Sequence, residues 1–181
     1  CFMPLSYGGG VYNVKQMERL FNAGVEKIIF NTALYTHPSL IQEGVSRFGA
    51  QSIVAAINLK SSFLNKQSQV YRYNMLFHQK VTIEKQIDIL ETLGVGEILL
   101  TDVNREGTQS GINIPLIRYC ASLTSKPIIY SGGVSTIDHI IDLLQIGQVK
   151  AVGIGSRAVY RKKGQGVLIN FPQREQLEKY L

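Results

Sequence analysis

The segment Pro4-Leu5-Ser6-Tyr7-Gly8-Gly9-Gly10-Val11 recurs as Pro127-Ile128-Ile129-Tyr130-Ser131-Gly132-Gly133-Val134, 123 residues further on. The same spacing carries Leu20 onto Leu143, Gly24 onto Gly147 and Lys27 onto Lys150 without a gap. Likeness over so long a stretch marks a duplicated strand-helix-strand unit. Such a unit needs a fold with two equivalent places related by pseudo-symmetry, and a barrel whose halves repeat provides them.

Around the repeat, short β-rich apolar runs alternate with helical patterns, the signature of a parallel α/β protein. Strands are expected at Met3 to Tyr7, Lys27 to Asn31, Ile53 to Leu59, Glu97 to Thr101, Ile128 to Tyr130 and Ala151 to Gly155. Apolar residues at i, i+3, i+4 spacing predict helices over Val14 to Ala23, Pro38 to Phe48, Thr82 to Leu93, Pro115 to Leu123 and Ile137 to Ile146, with a last one over Arg174 to Tyr180. Asn13 with Gln16, and Ser135 with Asp138, have the spacing of helix-capping pairs. Ser61 to Lys80 is polar and aromatic, breaks the rhythm and reads as a hairpin excursion on a βα loop.

Six such strands are two short of a closed eight-strand barrel. With the repeats half a barrel apart, Met3 to Tyr7 becomes strand three and Ile128 to Tyr130 strand seven. The expectation is therefore one domain over residues 1–181, an incomplete (β/α)8 TIM barrel of strands three to eight, with the first two βα units missing. Those units would amount to on the order of 60 to 80 residues. An open doubly wound sheet also satisfies six strands, but the half-barrel repeat argues against it. Self-association or partner-dependent solubility is expected of a barrel with two open edges.

The net charge of +6 suits anionic partners, yet only 18% of residues are charged and the basic ones are spread out, so no nucleic-acid surface is expected. The dense cluster Arg161-Lys162-Lys163 reads as a solvated turn. Cys1 and Cys120 have no ligand spacing, which predicts neither a zinc site nor a disulfide framework and fits a reducing, cytoplasmic setting. No apolar run approaches the roughly 18 residues needed to span a bilayer.

Gly8-Gly9-Gly10 and Ser131-Gly132-Gly133 each follow a strand and precede a helix, where glycine lets main-chain N–H groups approach a phosphate. The loops after the next strands add Asn31-Thr32 and Gly155-Ser156. Together they predict two phosphate sites across one barrel mouth, hence a ligand with a phosphate at each end. Between them, Thr101 to Gly111 is a polar loop directly after a buried strand. Its charged and amide side chains, Glu106 among them, are expected to face the ligand, and Gly107 and Thr108 to give donors to the second phosphate. Asp102 and Glu106 on a loop do not make a glycosidase pair. At the opposite end of the strands, Lys27 and Glu97 are placed to form an ion pair around the barrel's base. His37, His78 and His139 read as turn, insertion and helix-surface residues.

Tyr7-Gly8-Gly9-Gly10, Phe30-Asn31-Thr32-Ala33, Gly96 to Thr101, Arg105-Glu106-Gly107-Thr108, Ser131-Gly132-Gly133 and Gly155-Ser156 resemble, in order, the strand-end motifs of the cyclase subunit of imidazole glycerol phosphate synthase. The resemblance covers almost the whole chain, beginning at that family's third strand. It implies a (β/α)8 barrel of the ribulose-phosphate-binding type. Such a subunit takes ammonia from a separate glutaminase subunit, as a heterodimer, and closes an imidazole ring on a bis-phosphorylated substrate with no metal or organic cofactor. It further implies that Gly10, Asn31 and Thr32 hold one phosphate and Gly107, Gly133, Gly155 and Ser156 the other, and that Lys27 and Glu97 belong to an ammonia gate.

Cys1 to Tyr7 and Gly166 to Pro172 are similar to a branch found with surface-polysaccharide enzymes, in which an acetamido sugar is converted to an acetamidino sugar. One departure stands out. The family uses two aspartates as general acid and base; the first lies on the first strand, which is absent here, and at the position of the second, the end of the fifth strand, this chain has Asn58, an amide that exchanges no proton near neutral pH. Three functions compete: an ammonia-using sugar-amidation subunit, a cyclase of histidine biosynthesis, and a non-catalytic module that docks a glutaminase.

Overall fold

The computed structural model describes residues 3–61, 68–70, 81–159, 167 and 178. One sheet contains β1 (Ser6–Gly8), β2 (Lys27–Phe30), β3 (Ile53–Ser61), β4 (Ser68–Val70), β5 (Glu97–Asp102), β6 (Ile128–Ser131) and β7 (Val149–Gly153). β1, β2, β3, β5, β6 and β7 lie side by side in chain order, each parallel to the next, and β4 is antiparallel to β3. A doubly wound sheet reverses its order at a switch point, whereas this one never does. The six parallel strands curl as part of a TIM-type barrel wall.

Both faces of the wall are covered, as β3 shows: Ile53, Val54, Ala55, Ala56 and Ile57 are all buried. A strand with water on one side would alternate with polar residues, and this run does not. Ile53, Ala55, Ile57 and Leu59 join Ile28, Phe30, Ile98, Leu100, Ile128 and Tyr130 in the core that the helices cover. The alternate set, Val54, Ala56 and Asn58, pairs in register with Ile29, Leu99 and Thr101 and faces the barrel interior.

Helices α1 (Val14–Asn22), α3 (Pro38–Phe48), α4 (Ile83–Leu93), α5 (Ile114–Ser122) and α6 (Ile137–Leu144) occupy the expected stretches. In α4, Ile83, Ile87, Leu90 and Leu93 form the buried stripe. Each such side chain contributes up to about 1.5–3 kcal/mol against exposure. Thr82 caps the helix start and Gly94, left-handed at φ +73°, ends it. Two four-residue helices, α2 (Ala33–Thr36) and α7 (Ser156–Val159), were not expected, being too short to show a period.

The duplication is realised in three dimensions. α2 and α7 begin at Ala33 and Ser156, 123 residues apart, and so do the buried Val11 and Val134. Asn13 accepts from the Gln16 N–H at 3.0 Å, and Gln16 Oε1 reaches back to the Tyr12 N–H at 2.7 Å. The second copy repeats this with other chemistry. Thr136 Oγ1 accepts from the His139 N–H at 3.2 Å, while His139 Nδ1 faces the Ser135 N–H at 3.3 Å. The cap is therefore Thr136, not Ser135 with Asp138, and half-buried His139 is a back-reaching residue rather than a bare helix-surface one. The copies diverge at the helix ends, where Gly24 is left-handed at φ +94° and Gly147 is not.

Several strand limits shift. Met3 to Leu5 precede the ladder of β1, and β3 runs two residues past Leu59 because β4 pairs with Leu59, Lys60 and Ser61. β7 starts at Val149 rather than Ala151, with Lys150 bulged between partners of Ile128 and Ile129, and it ends before Gly155. The short β4 is the described part of the hairpin excursion. The remainder of that excursion with His78, Arg161-Lys162-Lys163, and nearly all of the C-terminal stretch and its expected helix lie outside the described residues. Among the described residues, no helix is long and apolar enough to cross a membrane.

Candidate functional site

Gly8 ends β1 and Ser131 ends β6, so both glycine turns emerge at the same rim of a parallel wall. Gly9 and Gly10 take φ of +99° and +71°, and Gly132 and Gly133 take +122° and +77°. Each copy thus has consecutive left-handed residues, a path open to glycine at little cost. Their surroundings differ. Gly9 and Gly10 are exposed with open space beyond them, whereas Gly132 and Gly133 are buried beneath the loop that follows β5.

That loop is tied down residue by residue. Asp102 is fully buried, its Oδ1 accepts from the Asn104 N–H at 3.1 Å, and its Oδ2 lies 3.4 Å from Arg105 Nε without forming a hydrogen bond. Burial pushes the Asp102 carboxyl above its ordinary value, with Asn104 and Arg105 pulling back. Arg105 Nη1 donates to the Gly111 carbonyl at 3.1 Å, and the Gly111 N–H donates to the Gly133 carbonyl at 2.9 Å. The alternation of β5 turns Asp102 to the helix side with Ile98 and Leu100. The expectation that all the charged side chains of this loop face the ligand is therefore corrected for Asp102 and Arg105, which hold the loop in place. Tyr130, beside them, has a buried hydroxyl, and its pKa is raised by burial first and by the Asp102 charge second.

The remaining loop residues reach the rim. Glu106 Oε2 accepts from Ser131 Oγ at 2.8 Å, and its Oε1 lies 3.7 Å from where a Cβ on Gly155 would stand. Gln109, a non-glycine residue at φ +54°, donates through Nε2 to the Ser156 carbonyl at 3.2 Å. Thr108 uses its hydroxyl inside the loop, toward the Arg105 carbonyl at 2.7 Å. Gly107 is left-handed at φ +73° with open space around it. Glu106, Gly107, Thr108, Gly132, Gly133, Gly155 and Ser156 thus gather at the ends of β5, β6 and β7.

On the other side of the rim, Gly10 follows β1 and Asn31 follows β2, adjacent strands. Asn31 Nδ2 donates to the Ala56 carbonyl at 3.1 Å, and Thr32 opens α2 with helical backbone angles. Between the two groups, Asn58, Thr101 and Ser131 are successive register partners across β3, β5 and β6, a row of neutral polar side chains on the interior face. Sequence reasoning singled out Asn58 but missed Thr101 and the hydroxyl of Ser131, whose shared row follows from strand alternation.

At the base, Lys27 Nζ meets Glu97 Oε1 at 2.5 Å across the intervening β3, both side chains partly exposed. His37 Nδ1 lies 2.8 Å from Thr36 Oγ1 in the turn between α2 and α3. Among the described residues, no three His, Cys, Asp or Glu side chains converge as metal ligands.

A family model of histidine biosynthesis proteins matches residues 1–165. The chain belongs to that family. It is 37% identical over 178 residues to a Pseudomonas aeruginosa protein provisionally named imidazole glycerol phosphate synthase subunit hisF2, covering 98% of this chain and 70% of that one. A Leptospira borgpetersenii protein provisionally named imidazole glycerol phosphate synthase subunit HisF is 36% identical over 172 residues, 95% of this chain and 68% of its own. A Vibrio vulnificus protein provisionally named subunit hisF3 is 32% identical over 181 residues, 100% of this chain and 70% of its own. Within the family, these likenesses assign the chain to the cyclase-type enzyme subunits, of the lyase/synthase class.

Proposed function

We propose that this chain is strands three to eight of a barrel subunit that adds ammonia to a phosphorylated sugar-type substrate. A glutaminase subunit supplies the ammonia, and the product is an acetamidino sugar for surface polysaccharide. The observation that carries the choice is Asn58. It stands on the interior row at the rim, in line with Thr101 and Ser131, where ring closure in the resembled cyclases employs an aspartate. An amide there orients a substrate but moves no proton near neutral pH. The glycine turns at Gly9-Gly10 and Gly132-Gly133 supply backbone for anionic groups on a common rim, Gly10 with Asn31 and Thr32 on one side and Gly133 with Gly107, Thr108, Gly155 and Ser156 on the other.

The deciding experiment combines the full-length protein, its glutaminase partner, glutamine and a nucleotide-linked acetamido sugar, with the amidino product followed by mass spectrometry. Product is expected only with both proteins present, and its absence in the complete mixture rejects the reading.

The family match and the names of the relatives favour a second reading, the cyclase of histidine biosynthesis. Expression of the full-length gene in a cyclase-deficient histidine auxotroph separates the two. Asn58 predicts no growth without histidine, and restored growth selects the cyclase.

A further inference from the structure

The interior row Asn58, Thr101 and Ser131 contains no group that exchanges a proton near neutral pH. A carboxylate reaches the row from the loop above it. Glu106 Oε2 is hydrogen-bonded to Ser131 Oγ at 2.8 Å, and Oε1 comes within 3.7 Å of the Cβ position of Gly155. Its backbone is held, since the Glu106 N–H donates to the Asp102 carbonyl at 2.9 Å and the loop is latched to Gly133 through Gly111. The neighbouring carboxylate, Asp102, is fully buried on the helix side beside Arg105 and cannot serve the mouth. Resting on the ammonia-using reading above, we propose that Glu106 is a proton-transfer residue of this rim, taking over from the position of Asn58 and displaced from β3 to the β6 side of the mouth, with Ser131 positioning it.

The chemistry asks for such a group. When ammonia attacks an acetamido carbon, a C–N bond forms and the C=O π pair moves to oxygen. Two protons then pass from the nitrogen to that oxygen, the C–O bond breaks, water leaves and a C=N bond remains, with no net oxidation or reduction. Glu106 takes each of the two protons in turn from the nitrogen and returns it to the departing oxygen. Its exposed carboxylate at the rim, one hydrogen bond from the interior row, meets the geometric requirement for a general base before any question of acidity arises.

The test uses the full-length protein with ammonium chloride in place of the glutaminase, on a nucleotide-linked acetamido sugar. Glu106→Gln is expected to lower kcat by about 100-fold or more while KM stays within about threefold, and to remove one limb of the pH–rate profile. Glu106→Asp is expected to keep that limb with reduced kcat, and Ser131→Ala to lower kcat by about tenfold without abolishing the limb. Thermal melts of the variants check that the exposed substitution leaves the fold intact. A Glu106→Gln protein with kcat within about fivefold of the parent, or with both limbs in place, overturns the proposal while leaving the functional reading standing. A parent protein that does not turn over the acetamido sugar removes the functional reading and this proposal with it.

Discussion

Gly133 and Gly111 are locked backbone to backbone: the Gly111 N–H donates to the Gly133 carbonyl at 2.9 Å, and a Cβ on Gly133 would stand 2.1 Å from the Gly111 carbonyl oxygen. Gly10, its counterpart in the repeat, has open space where a Cβ would go and only its φ of +71° to protect it. Gly133→Ala is expected to destabilise the protein by about 2–4 kcal/mol through overpacking against backbone. Gly10→Ala should cost only about 1–2 kcal/mol, from the left-handed conformation alone. Thermal or urea unfolding of the two variants measures the difference, and equal losses would contradict it.

That contrast marks what the residue pattern disclosed. Repeated glycines reported a shared backbone path, because few other residues take consecutive left-handed angles, and Gly9-Gly10 and Gly132-Gly133 do share it. The seal over the second pair depends on tertiary contacts of Arg105 and Gly111 that no local pattern encodes. Some misses were avoidable. The spacing that aligns Gly10 with Gly133 also aligns Asn13 with Thr136, the true cap, and two-residue alternation from Ile98 and Leu100 puts Asp102 on the helix side. The four-residue helices α2 and α7 were out of reach, since one turn carries no period.

Buried Asp102 should leave a signature in pH. Its native carboxyl holds its proton above the usual aspartate pKa of about 3.9, mainly because burial disfavours the charge. In the window between the two pKa values the folded state keeps a proton that the unfolded state has lost. The contribution to stability is thus greatest below about 3.9 and declines as pH rises through the native value. Asp102→Asn is expected to flatten that decline, read as urea midpoints between about pH 4 and 8. Identical slopes for parent and variant would assign the pH dependence elsewhere.

Cys120 offers a probe of the fold. It lies fully buried on α5, and desolvation pushes its thiol up to about 12. Because the thiolate is the reactive species, native protein at neutral pH is expected to resist thiol reagents, with modification following unfolding in denaturant. Rapid labelling of Cys120 in native protein, located by peptide mapping, would contradict its burial.

The rim of β1 predicts association. β1 stands at one end of the strand order, and Met3, Leu5 and Tyr12 near it are 74%, 51% and 66% exposed. A strand edge without a partner among the described residues and flanked by large apolar side chains is a template for another chain. The 181-residue chain expressed by itself is expected to self-associate in sedimentation velocity. A single monomeric boundary over a wide concentration range would count against this.

Lys27 and Glu97 pair on the interior face at the base, opposite the rim that gathers the glycine turns. Both side chains are partly solvated, so as a structural ion pair they contribute only about 0.2–1 kcal/mol. A role in admitting ammonia from a partner docked beneath the barrel makes a different demand. Lys27→Met should leave activity with ammonium chloride within about twofold of the parent, because the rim is untouched, and reduce activity with glutamine by about tenfold or more. Glu97→Gln should act in the same direction, and the double variant should lose less than the two single losses combined, since each change breaks the same pair. The ratio of glutamine-driven to ammonia-driven rates is the measurement. Were both rates to fall together in every variant, the pair would be a stabilising contact with no part in ammonia passage.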